Sequence, residues 1–204
     1  MKLHWSPRSP QVRKVMIVAH ELGLADRITR VRSVVDPRTP NLALMEENPL
    51  SKIPTLVLDD GTVLYDSPVI CEYLASLRPA AKLIPGGGAE RLTAMRRQAL
   101  GDGFTEFLLL LRNERDRAHP SEVLLAAFAT KRQAVLGVLD AEAGDLATLP
   151  FTIGHIAIGS ALSYLDFRFA QEDWRAGHPR IAGWHQEFRL RPSVRATELA
   201  DDGT

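Results

Sequence analysis

Cysteine is nearly absent: Cys71 is the only one in 204 residues. A lone thiol cannot close an internal disulfide, and such usage fits a reducing compartment. Charge of one sign is lacking too. Lys plus Arg and Asp plus Glu number 25 each, so neither nucleic acid nor an anionic membrane has an electrostatic claim as the main partner. No apolar run approaches the ~20 residues that span a bilayer. Met1-Lys2-Leu3-His4-Trp5 enters an apparent strand with no basic and apolar leader before it, which predicts no export signal and a cytoplasmic chain. Of the histidines, His155, His178 and His185 form no HxxxH pair and have no companion cysteine or clustered acids, so no metal site is expected. What remains, at 45% hydrophobic and 25% charged, is the composition of a soluble globular protein of one large or two small domains.

Periodicity changes character once along the chain. Residues 1–78 alternate short strands and helices: a strand over 3–5, a helix over 10–24, a strand over 28–33, a loop with a short helix to Glu47, then two short apolar runs and a helix from Ser67. The order is βαβ followed by ββα. Residues 79–88, with Pro85-Gly86-Gly87-Gly88 in them, read as a linker. Over 89–204 every periodic segment is helical, at roughly 89–116, 121–143, 152–169 and 179–190, with a weaker end near 193–199. The expected fold is an α/β domain joined to an all-helical one, without repeats.

The most telling stretch is NPLSKIPTLVLDDGTVLYDSPVICEYL, Asn48 to Leu74. Lys52-Ile53-Pro54 leads into the run Thr55–Leu58, the turn Asp59-Asp60-Gly61 and the run Thr62–Tyr65, which reads as a hairpin. Proline has no amide hydrogen, sits at strand starts or edges, and alone adopts a cis peptide readily. A cis Ile53-Pro54 bond would turn the main chain of Ile53 outward, where an extended ligand could pair with it. Asp66-Ser67-Pro68 then reads as a helix entry followed by apolar Val69, Ile70, Tyr73, Leu74 and Leu77 at helical spacing. A helix start attracts a carboxylate and Asp66 an amine, so a ligand carrying both fits. Near the start of the chain, Ser9 precedes Pro10, and Val12, Val15, Met16, Ala19 and Leu22 share one helical face, which makes Ser9 the natural cap.

These residues, in this order, resemble the glutathione transferase superfamily, whose first domain is thioredoxin-like and carries a comparable "NPxxKVPxL" segment followed by an acid–serine pair. The resemblance extends over nearly the whole chain. It implies that Pro54 is the cis-proline, that Lys52 and Ile53 flank the bound tripeptide with Ile53 pairing to its cysteinyl part, and that Asp66 and Ser67 hold its γ-glutamyl end. Ser-Pro-x-x-Arg-Lys-Val at 9–15 is similar to the helix start of serine-type members, which makes Ser9 the hydrogen-bond donor to the glutathione sulfur and Ser6 the runner-up. A free thiol, with a pKa near ~8.5, is mostly protonated at neutral pH, yet the thiolate is the nucleophile. A hydroxyl donor and a helix amino terminus both favour the anion. Neither serine position is cysteine, which disfavours thiol exchange. Arg13 offers a charge near the site.

The second domain departs from the family pattern at one place. Thr152-Ile153-Gly154-His155 has histidine where the superfamily's capping box has aspartate, so a weaker acceptor for the cap's own amide is expected. The resemblance further implies a second-substrate pocket, with Phe104, Phe107, Leu108 and Arg112 of the long helix as candidates, and an acid, Asp102, reaching across a homodimer to the partner's glutathione. The expected activity is transfer of glutathione, as co-substrate and not as a resident cofactor, to a small apolar electrophile in a conjugation of detoxification type. The alternatives are a glutathione-binding regulatory or partner-docking protein and a glutathione-dependent peroxidase or isomerase.

Overall fold

A computed structural model describes residues 1–202. The chain divides at Gly86/Gly87 into two compact units, and residues 192–202 belong with the first. The break lies inside the expected linker, but the helical domain, expected to run to residue 204, ends at Arg191.

The first unit holds β1 (Lys2–Trp5), α1 (Pro10–Glu21), β2 (Thr29–Arg32), α2 (Leu42–Met45), β3 (Thr55–Val57), β4 (Val63–Leu64), α3 (Ser67–Ser76) and α8 (Pro192–Arg195). Its sheet has the order β2-β1-β3-β4, with β1 and β2 parallel and the other pairs antiparallel. Gly61, at φ +87°, makes the turn between β3 and β4, a backbone state open to glycine. α1 stops three residues before its expected end because Gly23 (φ +64°) and Leu24 close it: their amides donate to the His20 and Ala19 carbonyls at 3.1 and 2.8 Å. The apolar face of α1 is fully used, with Val12, Val15, Ile17, Val18 and Ala19 at most 1% exposed. α8 is fastened to α1 by Ser193 Oγ donating to Glu21 Oε1 at 2.5 Å and by Arg13 Nη2 donating to the Val194 carbonyl at 3.3 Å. Beside β1, Lys2 Nζ lies 2.5 Å from Glu47 Oε1 and His4 Nε2 lies 2.5 Å from Oε2. The Lys2 hydrogen bond, helped by His4, holds the Glu47 carboxyl below its ordinary value.

The second unit is helical: α4 (Gly88–Arg115), α5 (Glu122–Thr148), α6 (Ile153–Arg168) and α7 (Pro179–Leu190). α6 is its axis, buried from Ile153 through Leu165. It lies so close to α4 that a Cβ on Gly101 would meet the Ala157 carbonyl carbon at 2.5 Å, and one on Gly154 the Arg97 Cβ at 2.6 Å. α5 runs five residues past its expected end because Gly144 is tolerated within it while Leu146 is buried. α7 takes its cap from α5, since Asp140 Oδ1 accepts the Arg180 and Ile181 amides at 2.9 and 3.0 Å.

The entry to α6 corrects an expectation. The Thr152 amide donates to His155 Nδ1 at 3.0 Å, so histidine supplies the reciprocal acceptor that aspartate would have given. An acceptor nitrogen carries no proton, which makes the ring neutral with its hydrogen on Nε2. Burial, reinforced by the Arg97 charge, lowers the His155 pKa to about 4. Nε2 has no hydrogen-bond partner among the described residues. The nearby Leu146 carbonyl accepts the Trp184 indole at 3.1 Å.

Candidate functional site

The start of α1 presents Ser9 on extended backbone (φ −86°, ψ 117°), with its Oγ accepting the Val12 amide at 3.2 Å. A hydroxyl that accepts through oxygen still has its hydrogen to give, and the first-turn amides around it carry the positive end of the helix dipole. Ser6 is buried. Its Oγ accepts the Arg8 amide at 3.3 Å and its carbonyl accepts the Ser9 amide at 3.2 Å. Both serines line a cavity of about 60 Å³, together with Trp5, Arg13, Arg30 and Glu198. Arg13 is buried at 6% exposure, so the exposed surface arginine that its place on the first helix could equally have produced is not what the fold makes of it.

The Ile53-Pro54 peptide is cis. Asn48 organises the approach to it: its Nδ2 donates to the Lys52 carbonyl at 3.1 Å and to Thr55 Oγ1 at 2.8 Å, and Thr55 Oγ1 donates to the same carbonyl at 2.8 Å. Lys52 is thereby satisfied through its main chain while its side chain is exposed. Among the described residues no hydrogen bond engages the main chain of Ile53. At the start of α3, Asp66 is exposed and its carboxylate makes no bond to the helix it precedes. Ser67 is buried, and its Oγ donates to Gln11 Oε1 at 3.1 Å. That bond joins the first turn of α3 to the first turn of α1, two residues from Ser9.

Gln11 is the functional candidate that pattern reading missed. Its one local signal was a polar side chain in the first turn, two residues after Ser9. Trp5, Arg30 and the tail residue Glu198 were missed as well, and only the alternation of arginines at 30 and 32 was visible beforehand.

The candidates from the long helix lie in the second unit. Phe104 and Leu108 are 2% and 0% exposed and fill its core. Phe107 stacks between Phe104 and Phe128, at centroid distances of 5.6 and 5.2 Å. Arg112 pairs with Asp116 at 3.8 Å, and Asp102 is half-buried. Among the described residues no helix is long and apolar enough to cross a membrane.

Comparison with known proteins places the chain among relatives that match it over most of its length. The glutathione S-transferase N-terminal domain model matches residues 8–77 and the C-terminal domain model residues 122–187. The uncharacterized GST-like protein YibF of Escherichia coli (strain K12) is 31% identical over 202 residues, covering 97% of this chain and 98% of its own. Crystal structures of a glutathione transferase family member from Pseudomonas fluorescens Pf-5 superpose on 98% of this chain and 99% of their own. One, with bound glutathione, is 40% identical at a TM-score of 0.93; the other, with bound S-(propanoic acid)-glutathione, is 39% identical at 0.89. A glutathione S-transferase from Methylobacillus flagellatus KT with glutathione bound is 32% identical at a TM-score of 0.86, over 98% of this chain and 99% of that one. With its thioredoxin-like first unit, its helical second unit and both domain models matched in order, the chain belongs to the glutathione transferase family.

Proposed function

We propose that the protein is a glutathione transferase that uses glutathione as co-substrate and conjugates its thiolate to a small electrophile with an apolar body. The observation that carries this reading is the Ser67–Gln11 hydrogen bond of 3.1 Å. It gathers the acid–serine pair that suits a γ-glutamyl group and the α1 start that suits a thiolate. The unengaged main chain of Ile53 supplies an edge for the cysteinyl residue between them. Ser9 donates its free hydrogen to the sulfur, and the first-turn amides of α1 add electrostatic support, so the thiol ionises more readily than in water. Ser9 is preferred to Ser6 because the Ser6 hydroxyl is buried at 7% exposure. The glutathione bound in related structures supports the same ligand here. The acid-bearing conjugate bound by one of them supports a site that continues beyond the sulfur. In this reading the chain works in the cytoplasm as a homodimer, with Asp102 approaching the partner's tripeptide.

The experiment is conjugation of an aromatic halide alongside calorimetry with glutathione, on the native chain and Ser9→Ala. A hydrogen bond to a charged group contributes ~1.5–3 kcal/mol, so kcat/KM is expected to fall about 10- to 100-fold while glutathione binding persists. Binding without Ser9-dependent turnover would instead identify a regulatory or docking protein. Light scattering decides the dimer.

A further inference from the structure

The residues beside the serines point to the chemistry of the second substrate. Arg30 and Arg32 project from the same face of β2, since side chains two apart on a strand share a face. β2 is an edge strand. Arg32 Nε is bound by Asp202 Oδ2 at 2.5 Å, and Arg8 Nε by Asp202 Oδ1 at 2.9 Å and Asp201 Oδ1 at 3.3 Å. The tail that delivers these acids is also held by the Ala200 amide on the Pro7 carbonyl at 3.2 Å. The chain thus brings its own carboxylates to the guanidinium groups around the β1–α1 connection. Arg30 is the exception. It has no ion pair among the described residues and lies over the Trp5 ring at 5.2 Å.

Arg30 and Trp5 line the cavity that Ser6 and Ser9 line. The buried Arg13 also lines it, with its Nη2 donating to the Val194 carbonyl at 3.3 Å. The single acid on the lining, Glu198, is exposed and makes no ion pair among the described residues. A guanidinium fork matches a carboxylate with two parallel hydrogen bonds, and attraction to the face of the Trp5 ring holds Arg30 beside it. The volume, about 60 Å³, corresponds to a few water-sized spheres at roughly 10–15 Å³ each. It suits a molecule of about two to four carbons.

We infer that the second substrate is a small electrophilic carboxylate, such as a short halo acid, whose carboxylate is received by Arg30 beside Trp5. The inference rests on the glutathione transferase reading and narrows its apolar-bodied electrophile to one that also carries an acid. In the reaction the thiol proton has left to solvent. The sulfur lone pair then forms the new C–S bond at the halogen-bearing carbon as the carbon–halogen bond breaks and the halide departs with its electron pair. The substrate carboxylate is unchanged throughout and serves only to aim that carbon at the sulfur.

The test compares bromoacetate with bromoacetamide, two electrophiles of nearly equal size, one charged and one neutral. Each catalysed kcat/KM is divided by the uncatalysed rate with glutathione. A charge-assisted hydrogen-bonded pair predicts a preference for the acid of about tenfold or more in the native protein, collapse of that ratio to about one in Arg30→Gln, and partial retention in Arg30→Lys. Calorimetry provides a readout without turnover: S-(carboxymethyl)glutathione should bind more tightly than its carbamoylmethyl counterpart, and Arg30→Gln should erase the difference. Equal normalised efficiencies in the native protein, or a preference that survives Arg30→Gln, overturns the inference. If Arg30→Gln does not fold, the native acid-to-amide comparison and Arg30→Lys decide. Glutathione that binds without discrimination between the two conjugates removes only this inference, whereas glutathione that gives no heat removes the transferase reading as well.

Discussion

His155 should make the helical unit acid-labile in a way that a single substitution exposes. Its ring is 2% exposed and faces Phe151 and Trp184 at centroid distances of 5.4 and 6.3 Å. Its Nδ1 must stay unprotonated to accept the Thr152 amide. In the folded chain its pKa is about 4, against an ordinary value of 6.5. Because the folded value is the lower one, the unfolded chain takes up the proton first as pH falls. The stability associated with neutral His155 is therefore complete above 6.5 and lost progressively down to about 4. At ~1.36 kcal/mol per pH unit the loss approaches about 3 kcal/mol, a large share of the ~5–15 kcal/mol that holds a typical domain together. His155→Asn keeps a side-chain oxygen to accept the cap amide but does not titrate. It should be less stable than the native protein at pH 7, through lost ring packing. Its disadvantage should then shrink by about 3 kcal/mol toward pH 4. Urea unfolding followed by far-ultraviolet circular dichroism across that range measures the difference directly. Parallel stability profiles for the two proteins would refute the assignment of a buried neutral imidazole.

Three further outcomes are expected. Gly101→Ala puts a methyl group 2.5 Å from the Ala157 carbonyl carbon and 2.6 Å from the Ile158 amide nitrogen, atoms that cannot rotate away, so a loss of about 1–3 kcal/mol should appear as a lower thermal midpoint; an unchanged midpoint contradicts the close helix approach. Gln11→Ala leaves the buried Ser67 hydroxyl without its acceptor and should weaken glutathione binding about 5- to 10-fold, as for an ordinary hydrogen bond, whereas a lower melting temperature with unaltered affinity would reduce Gln11 to a structural strut. Glu47→Gln removes a carboxylate whose pKa Lys2 and His4 depress below 4.5. The native advantage over this variant should be present at neutral pH and disappear as pH falls below that ordinary value, while an advantage constant in pH means the ion pair contributes nothing.

The sequence by itself determined the order of elements and the local chemistry of their ends. The hairpin after Pro54, the cap at Ser9, the helix entry at Asp66-Ser67-Pro68, the glycine break before α4 and the apolar stripe of α1 follow from spacing and turn residues within a few positions of one another, and local backbone energetics suffices to write them. Even so, α1 ended early, because the closing bonds at Gly23 and Leu24 compete with the helix on nearly equal terms, and α5 ran long, because burial of Leu146 outweighs a tolerated glycine. His155 as a capping acceptor also escaped pattern reading, since its tautomer depends on the burial of its ring. Tertiary structure alone decided the rest. Residues 192–202 return to the first unit, Arg13 grips the Val194 carbonyl across 181 positions, and Asp202 reaches Arg8 and Arg32. Ser67 finds Gln11 across 56 positions. Such partners leave no periodicity in the chain, because a hydrogen bond or ion pair between distant segments is set by where packed elements bring their ends, and that placement is a property of the whole buried core.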